Sequence, residues 1–117
     1  MENDWVRPVV HFEIEALDPE TLIPFYTEMF NWDCSGGFIR NFRAGLGGPE
    51  PGPAGHFRQS DRSGVTLYIQ VRSLEESLER CVALGGTKTL DRLQIPNGPA
   101  IAGICDPEGN PITLVQQ

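Results

Sequence analysis

Three side chains with chemistry to offer, His11, Glu13 and Glu15, recur at every second residue, and Val10, Phe12, Ile14 and Ala16 occupy the positions between them. A period of two is that of a β-strand, so Val9 to Ala16 is predicted to be a strand with an imidazole and two carboxylates on one face and an apolar set on the other. An imidazole changes charge near neutral pH. A carboxylate in a half-desolvated cleft has its pKa raised toward the working pH, so Glu13, or Glu15, can serve as a general base. The competing assignment is a pair of exposed charges on the wet face of a sheet. The same period returns over Val65 to Val71: Leu67, Ile69 and Val71 share one face, and Thr66, Tyr68 and Gln70 the other. These hydroxyl and amide groups suit the orientation of a small ligand, or they simply fill space. Arg40, Arg43 and Arg58 either grip an anion in bidentate fashion or balance an acidic surface. His56 is by default a solvated strand or loop histidine.

The elements that must position these groups follow from the sequence. After the first strand, Asp18 offers an N-cap with Pro19 at the first helical position, and Leu22, Phe25, Tyr26, Met29 and Phe30 follow at helical spacing. Pro24 lies inside that helix and predicts an irregular first turn. Between Asn31 and Gly64 short strands joined by turns are expected, with the run Pro49 to Gly55 a surface loop bearing no phosphate-binding pattern. After the second leading strand, Ser73 and Glu76 form a capping box that opens a helix with Leu74, Leu78, Cys81 and Val82 inward, closed by Gly85 and Gly86. Strands over Lys88 to Leu93, Ala100 to Cys105 and Ile112 to Val115 complete a β-α-β-β-β order. Reading the first half in the same order places Asp18 over Ser73 and His11 over Thr66. The chain is then one α+β domain, residues 1–117, of two βαβββ modules, about 6–60 and 64–117. They form a curved mixed sheet whose polar face lines an open cleft and whose apolar face lies under the helices. Phe12, Ile14, Phe25, Tyr26, Leu67, Ile69, Leu78 and Leu114 are the expected core.

Composition narrows the function. The 117 residues suit one domain, and 39% hydrophobic with 21% charged residues is an ordinary globular mixture. A formal charge of −7 opposes nucleic acid and anionic membrane as partners. No basic-then-apolar leader opens the chain and no apolar run is long enough for a bilayer, so a cytoplasmic location is expected. Cys34, Cys81 and Cys105 are odd in number and lack CxxC spacing, and at least two are expected to be small buried hydrophobes.

Three segments carry a family resemblance: HFEIEALDPETLIPFYTEMFNW, VTLYIQVRSLEESLERCVALGGTK and the terminal DPEGNPITLVQQ. Together they resemble the vicinal oxygen chelate superfamily of glyoxalases, bleomycin-resistance proteins and extradiol dioxygenases. The resemblance implies paired βαβββ modules and a homodimer, and it leaves the reaction open, because the fold hosts metal enzymes and drug-sequestering proteins alike.

Metal-dependent members of that superfamily set ligands on the first and last strands of each module. Carried over, these positions fall on His11 and near His56 in the first module. In the second they fall on Thr66 and Thr113, where His and Glu would be expected; neutral hydroxyls are poor ligands for a divalent cation. No cofactor is therefore expected, and His11 and His56 hold metal only if a partial site exists. The leading function is binding of a small molecule in the manner of bleomycin-resistance proteins, with His11, Glu13, His56, Thr66, Tyr68, Gln70 and Thr113 as ligand contacts. The alternatives are a metal-dependent lyase, isomerase or dioxygenase related to lactoylglutathione lyase, and an accessory dimer with no ligand.

Overall fold

The computed structural model describes residues 5–40 and 52–116. They form seven strands, two α-helices and a 3-10 turn: β1 Val9–Ala16, α1 Pro19–Phe30, the turn Ser35–Gly37, β2 Phe38–Ile39, β3 Ala54–Gln59, β4 Gly64–Gln70, α2 Leu74–Ala83, β5 Thr87–Gln94, β6 Ala100–Cys105 and β7 Pro111–Gln116. The architecture is the expected mixed α+β class. Two compact units divide the chain, His11–Thr66 and, as a second, Leu67–Gln117 together with the residues up to Val10.

In the His11–Thr66 unit β1 pairs in parallel with β3, and β3 pairs antiparallel with β2. Ile14, Cys34 and Ile39 are its buried core, packed by Phe12, Leu22, Ile23, Tyr26, Trp32 and Phe57. α1 runs unbroken through Pro24, and at its start the Asp18 carbonyl accepts from both Thr21 N (3.2 Å) and Leu22 N (3.3 Å), the shared acceptance usual at a helix N-terminus. Asp18 makes no side-chain cap; its carboxylate accepts instead from the Thr21 hydroxyl at 2.7 Å. Asn31 ends the helix in the left-handed conformation, φ 58°. Within the expected loop Pro49 to Gly55, Ala54 and Gly55 instead open β3, and residues 49–51 lie outside the described residues. Gly55 has a packing reason to be glycine: a Cβ there would lie 2.8 Å from the Phe12 carbonyl oxygen and 2.9 Å from its ring. Phe42, Arg43, Gly47 and Gly48 lie outside the described residues.

In the second unit the order is β4-β7-β6-β5, with β4 and β7 parallel and the rest antiparallel. Val71, Leu74, Ala100, Ala102 and Leu114 are its buried core, with Leu78, Ile104 and Ile112 against them. The Ser73 hydroxyl caps α2 by accepting from Glu76 N at 3.2 Å. At the other end Gly85 N reaches the Val82 carbonyl and Gly86 N the Cys81 carbonyl, with Gly85 at φ 98°, the pattern that satisfies the last helical carbonyls. No described helix is long and apolar enough to cross a membrane.

Two expected core residues face solvent. Phe25 is 57% exposed, because α1 turns Leu22, Ile23 and Tyr26 inward and leaves Phe25 edge-on to Tyr26, 5.3 Å between centroids. Leu67 is 42% exposed: α2 packs on β5, β6 and β7, so the outer part of β4 lies beyond its cover. Of the three free cysteines only Cys34 is buried, with Cys81 and Cys105 partly so.

Candidate functional site

The parallel register of β1 and β3 sets Glu13 opposite His56 and Glu15 opposite Arg58. Parallel partners share a face, so the alternation His11, Glu13, Glu15 meets the alternation His56, Arg58, Ser60. A chain of polar contacts results. His11 Nε2 lies 2.7 Å from His56 Nδ1, with the two rings stacked at 4.9 Å between centroids. His56 Nε2 lies 3.0 Å from Glu13 Oε2, and Arg58 Nε donates to that same oxygen at 2.8 Å. Arg58 then reaches Glu15 Oε1 through its terminal nitrogen at 3.2 Å. Arg62 donates twice to Glu15, at 2.7 and 3.1 Å, and Ser60 Oγ donates at 3.2 Å.

Burial decides what these groups are for. Glu13 and Glu15 are only 6% and 3% exposed, which replaces the picture of two charges on a wet sheet face. A buried carboxylate persists in ionised form only when paired and hydrogen-bonded, and Arg58 and Arg62 provide that pairing. The guanidinium of Arg62, by hydrogen bond and by charge, holds the Glu15 carboxyl below its usual range against the opposing effect of burial. Glu15 is thereby a poor general base. Glu13 has the geometry of an orienting group, its Oε2 shared between His56 and Arg58.

His11 has its pKa lowered, first by burial and then by the neighbouring His56, against the pull of Glu13. It is neutral at neutral pH. The carboxylate at the end of the chain orients the rings: Glu13 accepts from His56 Nε2–H, which turns His56 Nδ1 toward His11 Nε2. Phe38 adds an apolar surface, opposite His56 on β2 with its ring 6.4 Å away and 55% exposed.

The other expected ligand contacts are placed differently. Thr66 is buried. In the second unit Tyr68 and Thr113 are register partners and Gln70 stands opposite Val115; all three are half-buried. Sequence reasoning missed Ser60, Arg62 and Phe38. A signal for the first two was present, since His56, Arg58, Ser60 and Arg62 alternate in the same period as His11, Glu13 and Glu15, basic and polar against acidic. Arg40 is exposed, and Arg43 is outside the described residues.

The family model for the glyoxalase-like domain matches residues 11–115. The chain belongs to the glyoxalase-like family. The superfamily resemblance of its sequence is thus confirmed, and the fold recurs in solved structures. A hypothetical protein from Bacillus halodurans C-125 aligns with TM-score 0.65 at 13% identity, over 97% of this chain and 96% of that one. A glyoxalase/bleomycin resistance protein/dioxygenase superfamily member from Vibrio splendidus 12B01 aligns with TM-score 0.63 at 15% identity, over 96% and 100%. Methylmalonyl-CoA epimerase from Mycobacterium tuberculosis aligns with TM-score 0.61 at 15% identity, over 92% and 86%. No curated protein matches the chain by sequence.

The glyoxalase-like fold raises the question of a divalent cation, and the donor set answers it poorly. Nitrogens that share a tetrahedral metal at 2.0–2.1 Å stand about 3.3 Å apart, whereas those of His11 and His56 are at hydrogen-bond distance, 2.7 Å. Glu13 is already held by Arg58, and Thr66 and Thr113 bring no charge. Among the described residues no group of three or more His, Cys, Asp or Glu side chains is arranged to hold a metal ion.

Proposed function

We propose that this glyoxalase-like protein binds a small organic molecule without a resident metal, through the polar chain of β1 and β3. The observation that carries this reading is the direct His11 to His56 contact, continued to Glu13 and Arg58. The two imidazoles are committed to each other and to a carboxylate. Such a chain presents an oriented imidazole, suited to hydrogen-bond a ligand hydroxyl or amide, with the Phe38 ring beside His56 as an apolar surface. Methylmalonyl-CoA epimerase, among the structural neighbours, is described in complex with its CoA ester, which supports a small carbonyl-bearing metabolite as one ligand class to test. The three free thiols suit a reducing, cytoplasmic setting. The exposed Phe25, Met29 and Phe30 suit the homodimer that the family resemblance implies.

The test couples metal and ligand measurements on protein purified without a histidine tag. Zinc and nickel are expected to leave Tm unchanged. A metabolite screen followed by imidazole nitrogen NMR is expected to give ligands that perturb His11, and binding should fall at least tenfold in His11→Ala. Stoichiometric metal in the purified protein, lost in His11→Ala, would overturn the reading in favour of a metal-dependent enzyme.

A further inference from the structure

The second unit contains a cavity of about 450 Å3 that uses none of the residues considered so far as ligand contacts. Its floor is apolar, made by Val71, Ile104 and Leu114. One face of α2 forms a wall, where Ser77, Arg80, Cys81 and Leu84 follow at i, i+3, i+4 and i+7. Leu84 remains 67% exposed. Trp5 and Arg7, from the segment that precedes β1, complete the lining.

Charge distinguishes this cavity from an ordinary surface groove. The chain has 9 Lys and Arg against 16 Asp and Glu, yet the described lining residues contain two arginines and no carboxylate. A third arginine, Arg72, lies 5.4 Å from the Trp5 ring centroid, on which Arg7 also sits at 4.7 Å. These cation–π contacts hold an aromatic surface and positive charge together. An apolar floor with cations at its edge is complementary to a molecule with an apolar body and one negative end, and the volume falls within the range of small-molecule sites.

We propose that this cavity is a second ligand site, for a small amphipathic monocarboxylate whose apolar body rests on Val71, Ile104 and Leu114 and whose carboxylate meets Arg80. A guanidinium is the side chain best shaped to take a carboxylate through two parallel hydrogen bonds. Cys81, one turn from Ser77 on the same wall, is covered when the site fills. The site stands or falls independently of the His11 site.

The test uses octanoate as the probe, with 1-octanol and octylammonium as controls of equal chain length, in calorimetric titrations of the full chain. Octanoate is expected to bind at one site at least fivefold more tightly than either control, and to slow alkylation of Cys81 by iodoacetamide, read peptide by peptide. Arg80 is exposed, so Arg80→Gln should fold normally by circular dichroism. It is expected to weaken octanoate at least fivefold and leave octanol unchanged. His11→Ala is expected to leave octanoate affinity unaltered. Absence of octanoate binding, binding no tighter than octanol, or undiminished affinity in Arg80→Gln would overturn the proposal. So would binding that leaves Cys81 alkylation unchanged, since the ligand would then lie elsewhere.

Discussion

The two units run through the same opening order, strand, helix, strands, and in both the leading strand pairs in parallel with the last described strand. Their polar faces differ in kind. On β1 and β3, buried carboxylates are held by arginines and extended by two histidines; on β4 and β7 the corresponding groups are the neutral Tyr68, Gln70 and Thr113. The helices are reversed in quality. α2 is capped at both ends, whereas α1 contains Pro24, has no side-chain cap and buries no residue fully. One unit thus combines its ionised groups with the weaker helix, and the other combines a neutral polar face with the better-formed one. In the His11–Thr66 unit the ion pairs therefore tie β1 to β3 beside a helix that buries no residue fully.

The largest effect should come from breaking those ion pairs. Arg58 bridges Glu13 and Glu15, whose side chains are 8% and 3% exposed. Arg58→Met would leave Glu13 without its guanidinium and Glu15 with only Arg62, and is expected to cost about 3 kcal/mol, the low end for orphaning a buried charge. Thr113→Val on the neutral face should cost under about 1 kcal/mol. Denaturant midpoints at constant m-value measure both; equal losses would erase the contrast between the two polar faces.

Steric fit gives the next test. A Cβ at Gly55 meets the Phe12 carbonyl and ring, at 2.8 and 2.9 Å, whereas one at Gly103 in the second unit meets chiefly the Thr89 hydroxyl, at 2.6 Å. A hydroxyl can rotate away, but a backbone carbonyl paired in the sheet cannot. Gly55→Ala is therefore expected to cost about 2 kcal/mol and Gly103→Ala about half that, both read from thermal unfolding.

How much of this was legible in the sequence depended on range. The strand over Val9 to Ala16 and the ends of α2 follow from local rules, period and capping, and the structure places both as expected. Phe25 and Leu67 failed because burial there depends on which strands a helix covers, a property that neighbouring residues do not encode. The polar face was half visible. His11 and Glu13 were selected for their period, but their partners lie more than 40 residues away on β3, and only the pairing register reveals that His56 meets Glu13 and Arg58 meets Glu15. The burial of the two glutamates was invisible for the same reason. A charge looks solvated until its distant cation is known.

Acid should separate the units next. The folded-state pKa of Glu15 is depressed by Arg62, so its stabilisation is fully present above the unfolded value near 4.5 and is lost as pH falls through the folded value. His11 is lowered below 6.5, chiefly by burial; the unfolded chain takes that proton first, so stability also declines as pH drops below about 6.5. Both groups belong to the His11–Thr66 unit. Hydrogen exchange at pH 7 and at about pH 3.5, below the unfolded values of both groups, is expected to show β1 and β3 losing protection before β6 and β7, and uniform loss across all strands would sink this assignment.

The smallest effect sharpens the contrast between the helices. Ser73 accepts a hydrogen bond from Glu76 N and so satisfies one of the free donors at the start of α2. Ser73→Ala is expected to cost about 1 kcal/mol. Asp18 occupies the same place before α1, but its carboxylate receives the Thr21 hydroxyl and leaves the helix N–H groups to its carbonyl. Asp18→Ala keeps that carbonyl. It removes one exposed side-chain contact and the favourable charge near the helix N-terminus, together about 0.5 kcal/mol. The sequence places an N-cap residue before both helices, and only their geometry makes the two substitutions unequal. Urea denaturation of the two single variants and their double decides the matter. The expected result is a twofold difference with additive losses, because the caps share no partner; equal losses would mean that the Asp18 side chain caps α1 in solution after all.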